Sequence, residues 1–166
     1  GAINGLLVKA HALHVDESTG YLYVYGSQLS NNSNLGKPLV FDLNTDPFNP
    51  TYVGVYSAPN GNPYVHDGYV DSDMMFSAHI LAGKVDVVDM TNKGNPNTLA
   101  SFVTPNAFPH NTWRNGNYLF TTDEVSASFL TAYDISDLDN ITEVGRIQSN
   151  PGSGSIVHNT YIMNDF

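Results

Sequence analysis

VDVVDM, residues 85–90, is the central copy of a motif that recurs as LVFDL at 39–43 and as LTAYDI at 130–135. Each copy is a short run of mostly aliphatic and aromatic residues with an aspartate near its end. These aspartates are 47 and 45 residues apart (Asp42, Asp89 and Asp134). A repeat of about 45 residues built from short strands is typical of β-propeller blades. The motif therefore predicts a series of similar β-sheets.

A histidine opens each repeat. These histidines are 55, 44 and 48 residues apart (His11, His66, His110 and His158). In each of the first three repeats, one strand-like run lies between the histidine and the motif, and another run follows the motif. Clusters of the turn-forming residues Asn, Gly, Pro and Asp separate the runs. The sequence therefore predicts an all-β fold of propeller blades with four antiparallel strands each. About three blades are expected, at 11–57, 66–103 and 110–148, with the start of a fourth at 156–166.

A β-sandwich is the main alternative fold, because it also uses short strands at regular spacing. A sandwich has no reason to repeat every four strands with matched residues at matched places, so the repeat favours the propeller. Three blades and one opening strand cannot close a ring, which takes about four to eight blades. We therefore expect residues 1–166 to form a partial propeller domain, a fragment of a larger one.

The composition excludes several classes of function. Sixteen acidic against six basic residues give a formal charge of −10, so the surface would repel a phosphate backbone and nucleic-acid binding is not expected. The chain has no cysteine, which rules out disulfides and thiolate metal sites. No apolar run approaches the length of a membrane span. No phosphate-binding loop, dinucleotide fingerprint or nucleophile elbow is present.

Four segments resemble the bacterial choice-of-anchor B proteins, which are extracellular and built from LVIVD repeats. The segments are HALHVDESTGYLYVYG at 11–26, YVHDGYV at 64–70, PHNTWRNGNYLFTTDE at 109–124 and VHNTY at 157–161. The recurring third-strand motif is similar to LVIVD in variant form. The resemblance covers nearly the whole chain from Lys9 onward, and it implies a secreted or surface-anchored bacterial β-propeller whose biochemical role is undefined.

The four opening histidines are the first candidate site. The first strand of a propeller blade borders the central channel, so equivalent positions in successive blades would form a ring around it. Converging neutral imidazoles are good ligands for Cu, Zn, Fe or Ni. The structural alternative is that each histidine bonds to the next blade and fixes its docking. The residues three positions later (His14, Tyr69, Trp113 and Tyr161) should lie on the opposite strand face and pack between blades.

Two carboxylates are the second candidate. Asp123 and Glu124 follow a predicted second strand, and beside a histidine ring they could complete a metal site or act as general acid and base. Their alternative is a solvated loop in an acidic protein. Asp137 and Asp139 offer oxygen ligands to Ca²⁺, but no complete calcium loop surrounds them. The sequence therefore assigns no cofactor and no catalytic residue, and a transition metal or Ca²⁺ is the candidate ligand.

Two functions remain open at this point. The first is a non-enzymatic extracellular module that binds protein or glycan partners on the cell surface or assembles with copies of itself. The second is a metal-dependent enzyme or redox protein that uses the channel histidines. Stoichiometric transition metal in the purified protein would separate them.

Overall fold

The computed structural model describes residues 6–31, 33–59, 62–148 and 154–163. All regular elements in these ranges are β-strands, and no helix occurs among them, so none is present there that could cross a membrane. Fourteen strands are formed, of which twelve belong to three four-stranded antiparallel sheets. The predicted all-β fold with four-stranded antiparallel sheets is confirmed.

The first sheet contains strands in the order β2-β3-β5-β6. Their bounds are Ala12–Asp16 for β2, Tyr21–Tyr25 for β3, Leu39–Asp42 for β5 and Thr51–Val55 for β6. A separate two-stranded sheet pairs β1 (Leu7–Lys9) with β4 (Gln28–Leu29), and β4 lies in the connection between β3 and β5.

The second and third sheets repeat this up-and-down order. The second sheet consists of β7 (Asp67–Asp71), β8 (Met74–His79), β9 (Lys84–Asp89) and β10 (Asn97–Val103). The third consists of β11 (Pro109–Asn115), β12 (Tyr118–Asp123), β13 (Leu130–Asp134) and β14 (Thr142–Ile147). Apart from Pro109, all strand residues of the three sheets fall inside the expected repeats. Residues 154–163 make one isolated bridge, from Ile156 to Ser126, while 164–166 lie outside the described residues.

The hydrophobic core lies between neighbouring sheets, and strand β9 shows why. Successive side chains of a strand point to opposite faces. Val88 therefore packs with Tyr23 and Tyr25 of the first sheet, whereas Val85 and Val87 pack in a cluster with Leu119 of the third. All of these side chains are buried. Because both faces of β9 are covered, its valines point to both sides of the strand.

The recurring aspartates end the third strand of each sheet in the same way. A carboxylate oxygen of each accepts a hydrogen bond from the backbone N–H two residues later: Asn44 to Asp42 at 2.8 Å, Thr91 to Asp89 at 2.8 Å and Ser136 to Asp134 at 2.9 Å. This is the usual way in which an aspartate side chain stabilises a turn. The strongest sequence marker of the repeat is thus a turn-forming residue.

Candidate metal centre

The four opening histidines converge at one end of the first strands. His11 and His66 directly precede β2 and β7, and His110 is the second residue of β11. The ring centroids are 3.9 Å apart for His11–His66, 4.5 Å for His66–His110 and 3.8 Å for His110–His158. We call these four residues the histidine ring. The expected convergence is present in the structure, and metal binding by the ring stays a prediction.

Two overlapping groups of residues at the histidine ring have the composition of a metal site. The ligand atoms of His11, His66 and His110 all lie within 4.8 Å of one another, and so do those of His110, Glu124 and His158. His110 belongs to both groups. The Glu124 carboxylate lies 3.7 Å from His110 Nε2 and 3.5 Å from His158 Nε2.

Two buried ring nitrogens lack a partner. His66 and His110 are 9% and 3% exposed, yet His66 Nε2 and His110 Nδ1 have no hydrogen-bond partner among the described residues. A buried polar atom left unpaired costs about 1–3 kcal/mol, so folded proteins rarely retain one without a reason. A bound cation would supply the missing partner for both nitrogens.

Electrostatics keep the inner imidazoles neutral. Burial, together with the three neighbouring imidazoles, lowers the pKa of His66 to about 4. Burial and His158 also lower the pKa of His110, although the Glu124 carboxylate acts in the opposite direction. Both side chains are therefore neutral at pH 7, which is the form that binds a metal ion.

Tyr64, which no sequence pattern singles out, contacts Nδ1 of His66. Its hydroxyl lies 3.1 Å from His66 Nδ1. When Nδ1–H donates to this hydroxyl, the lone pair of Nε2 is directed away from Tyr64 and is free for a ligand. The other repeats have Lys9, Phe108 and Ile156 at the same offset, so no repeated pattern marks the position.

Asp123 does not join the histidines, although it was a candidate ligand. Its carboxylate is fully buried and accepts hydrogen bonds from Thr104 Oγ1 at 2.5 Å and from the backbone N–H groups of Phe108 and Asn106 at 3.0 and 3.1 Å. Both oxygens are thus used to hold the loop that leads into β11. Of the two adjacent carboxylates, only Glu124 reaches the ring.

The residues that follow the histidines bond across the sheets. Asn111 Nδ2–H donates to Asp67 at 2.9 Å, and the Thr160 backbone N–H donates to Asn111 Oδ1 at 3.0 Å. Asn159 differs, because its side-chain oxygen contacts His158 Nδ1. Asn159 therefore contacts the histidine that precedes it, whereas Asp67 and Asn111 join neighbouring repeats to each other.

A second row of rings runs beside the histidine ring. His14, Tyr69, Trp113 and Tyr161, which we call the aromatic row, come from successive repeats. Their neighbouring centroids are 4.7, 4.8 and 5.1 Å apart in that order. The expected packing between repeats is present. Since a strand rises about 3.3 Å per residue, the row lies about 10 Å along the strands from the histidines.

Comparison with known proteins shows a likeness in fold. No family model matches this sequence, and no curated protein matches it. Similar solved structures include two proteins, each described as a "putative 6-phosphogluconolactonase". The one from Bacteroides uniformis has a TM-score of 0.62 at 10% identity over 86% of this chain and 42% of its own. The one from Bacteroides fragilis has a TM-score of 0.59 at 12% identity over 89% and 44%. The chain thus spans less than half of either structure.

Proposed function

We propose that this chain forms consecutive blades of a β-propeller and that its histidine ring holds a transition metal ion for a metal-dependent reaction. Three sheets of identical strand order and a repeat of about 45 residues support the propeller. The similar solved structures, which match most of this chain, support the fold as well. The proposal includes that these blades are part of a larger propeller, because three such blades do not close a ring.

The observation that carries the metal site is the pair of unpartnered nitrogens on His66 and His110. Both belong to side chains that are at least nine-tenths buried, and both residues occur in the same group of potential ligands as His11. Nitrogen atoms around a tetrahedral zinc ion with bonds of about 2.0–2.1 Å are roughly 3.3 Å apart. Small side-chain rotations would bring one nitrogen of each of the three imidazoles to this separation.

The residues around the ring fit a hydrolytic or redox site. Three histidine ligands leave a fourth position open, as in catalytic zinc centres, where the ion activates water or polarises a carbonyl group. Glu124 is the one acidic side chain that the described structure places against the ring, so it is our candidate for accepting a proton from a reacting group. His158, which is 60% exposed, would hold Glu124 in position.

The substrate named for the structural neighbours does not transfer to this chain. At 10–12% identity the likeness concerns the fold alone. A phosphorylated substrate also needs positive charge, whereas this chain carries a formal charge of −10. We therefore leave the substrate class of the metal reaction open.

Elemental analysis tests this proposal directly. Protein purified without chelators should carry close to one Zn, Cu, Fe or Ni ion per chain by mass spectrometry. The double variant His66→Ala/His110→Ala should lose the metal, because two of three ligands are missing. His14→Ala is the matched control, since His14 lies on a first strand but outside the ring. Absence of metal from both proteins, with the double variant only less stable, would make the histidines structural.

Tyr64→Phe tests the orientation of His66. The variant removes the hydroxyl beside Nδ1, and loss of such a partner typically weakens metal binding about 10–100-fold. We expect that loss in competition titrations with a chromogenic chelator, with a melting temperature of the metal-free protein close to that of the wild type. Tyr118→Phe, at a side chain that is 48% exposed and apart from the ring, should leave affinity unchanged. Equal metal affinity of Tyr64→Phe and Tyr118→Phe would show that Tyr64 plays no part in metal binding.

The non-enzymatic surface module remains a second prediction, with its extracellular location, its protein or glycan partners and its self-assembly. The structural comparisons lend it no support. Absence of metal from the purified protein would favour the surface module over the metal-dependent reaction.

A further inference from the structure

A cavity of about 360 Å³ lies on the side of the aromatic row away from the histidine ring. His14, Tyr69 and Trp113 line it together with residues 15–18, at the end of β2 and in the turn after it, and with residues 70 and 71 of β7. Its volume lies within the range of small-molecule sites, about 300–1,000 Å³. None of its residues belongs to the histidine ring, so the cavity is a separate feature of the molecule.

Two of the side chains that line the cavity are a tyrosine and a tryptophan. The Tyr69 and Trp113 rings are 4.8 Å apart and inclined by 42°, and both side chains are partly exposed. The face of an aromatic ring carries negative electrostatic potential, and tryptophan attracts cations most strongly. Burial lowers the pKa of His14 and outweighs the hydrogen bond from Nε2–H to the Val70 carbonyl at 3.0 Å, which acts in the opposite direction, so the side chain is neutral at pH 7. The histidine therefore adds no positive charge.

The remaining polar lining is acidic. Three carboxylates (Asp16, Glu17 and Asp71) line the cavity, and no lysine or arginine does so among the described residues. Asp16 already accepts hydrogen bonds from Ser18 and Thr19 within its own turn, and Asp71 lies 3.5 Å from Arg114. Glu17 is exposed and its carboxylate appears in no ion pair of the described structure. Its charge is therefore available to a ligand.

We propose that this cavity binds a small organic cation with a substituted ammonium group. Aromatic faces combined with nearby carboxylates are the arrangement that recognises quaternary ammonium ligands. A sugar fits less well, because it needs free hydrogen-bonding groups and the Asp16 oxygens are already engaged. An anion would meet three carboxylates. The inference does not depend on the metal site and goes beyond the function proposed above.

Choline and 3,3-dimethyl-1-butanol form the decisive pair of probes, because the alcohol is the neutral carbon analogue of choline. Trp113 is the only tryptophan in the chain and lines this cavity, so its fluorescence can follow binding there. Choline should change the emission in a saturable way, while the alcohol should bind at least about tenfold more weakly, since it lacks the cation–π and Coulomb attraction. Raising the salt concentration should weaken choline binding and leave the alcohol unaffected.

Two variants locate the binding. Tyr69→Leu removes one aromatic wall, and Glu17→Gln removes the unpaired charge at an exposed position that tolerates substitution. Each should weaken choline binding several-fold, whereas Tyr118→Leu should not; circular dichroism confirms the fold of each. Equal binding of choline and the alcohol, no saturable response in the wild type, or full affinity in folded Glu17→Gln and Tyr69→Leu would each overturn the proposal.

Discussion

Replacing Asp86 with alanine should lower the free energy of unfolding by about 3–5 kcal/mol, the usual cost of removing one partner of a buried ion pair. The Asp86 carboxylate is fully buried between the first and second sheets. It accepts hydrogen bonds from Lys84 Nζ at 2.8 Å and from Tyr56 OH at 2.9 Å, and His79 Nε2 lies 3.1 Å away. All three partners would lose their acceptor at once. Thermal unfolding should show a melting temperature about 10 °C lower.

Asp89→Ala is the matched control, because Asp89 lies on the same strand with its carboxylate in solvent. It bonds within its own turn to Thr91, and the loss of such a cap costs about 1 kcal/mol. Losses of equal size in the two variants would contradict a special role for the Asp86 network.

Acid provides a second measure of the same network. Burial acts to raise the pKa of Asp86, but the hydrogen bonds from its partners outweigh burial and hold that pKa well below the ordinary value. A carboxyl group with a depressed pKa stabilises the fold fully above its unfolded pKa of about 3.9, and the stabilisation is lost as pH falls below that value. The difference in stability between the wild type and Asp86→Asn should therefore shrink below pH 4. A constant difference would show that the charge of Asp86 is unimportant.

Gly54→Ala should destabilise the protein by about 3 kcal/mol, at the upper end of the range for overpacking. A Cβ atom built on Gly54 of β6 would lie 1.8 Å from the Lys93 carbonyl oxygen, which belongs to the turn between β9 and β10 of the second sheet. The obstacle is backbone, so no side chain can rotate away. Relief requires that the first two sheets separate at this point. Urea denaturation should show a lower midpoint.

Gly145→Ala is the internal control for this prediction. Gly145 occupies the equivalent place in the fourth strand of the third sheet, but a Cβ there meets no described atom within 4 Å. In the 166-residue chain this alanine should change stability by less than about 0.5 kcal/mol. A similar loss for both variants would mean that a general property of glycine in strands, and not the contact with Lys93, causes the effect.

The repeat of strands could be predicted from the sequence because the same local physics recurs in each copy. Asp42, Asp89 and Asp134 mark the turn after each third strand, and a turn depends on residues two or three positions away. The convergence of the histidines followed from the repeat alone, since equivalent positions in stacked sheets must be neighbours.

The details of the site could not be predicted, because they depend on which way individual side chains point. Asp123 and Glu124 are adjacent in sequence, yet Asp123 turns into a loop and only Glu124 faces His110. No neighbouring sequence marks the surroundings of His79, because its partner Asp86 lies on β9 and Tyr56, which donates to the same carboxylate, follows β6. Nothing within a few residues of these positions records such contacts.

The stacking of sheets has a consequence for how the molecule denatures. The cross-sheet bonds described above join immediate neighbours, such as Asp67 to Asn111. A one-dimensional stack of this kind can unfold stepwise, one interface between sheets after another. The histidine ring is different, because His11 of the first repeat and His110 of the third are 6.5 Å apart across it. A metal ion bound by both side chains would link the first and third repeats directly. Unfolding would then be a single cooperative transition instead of a stepwise one.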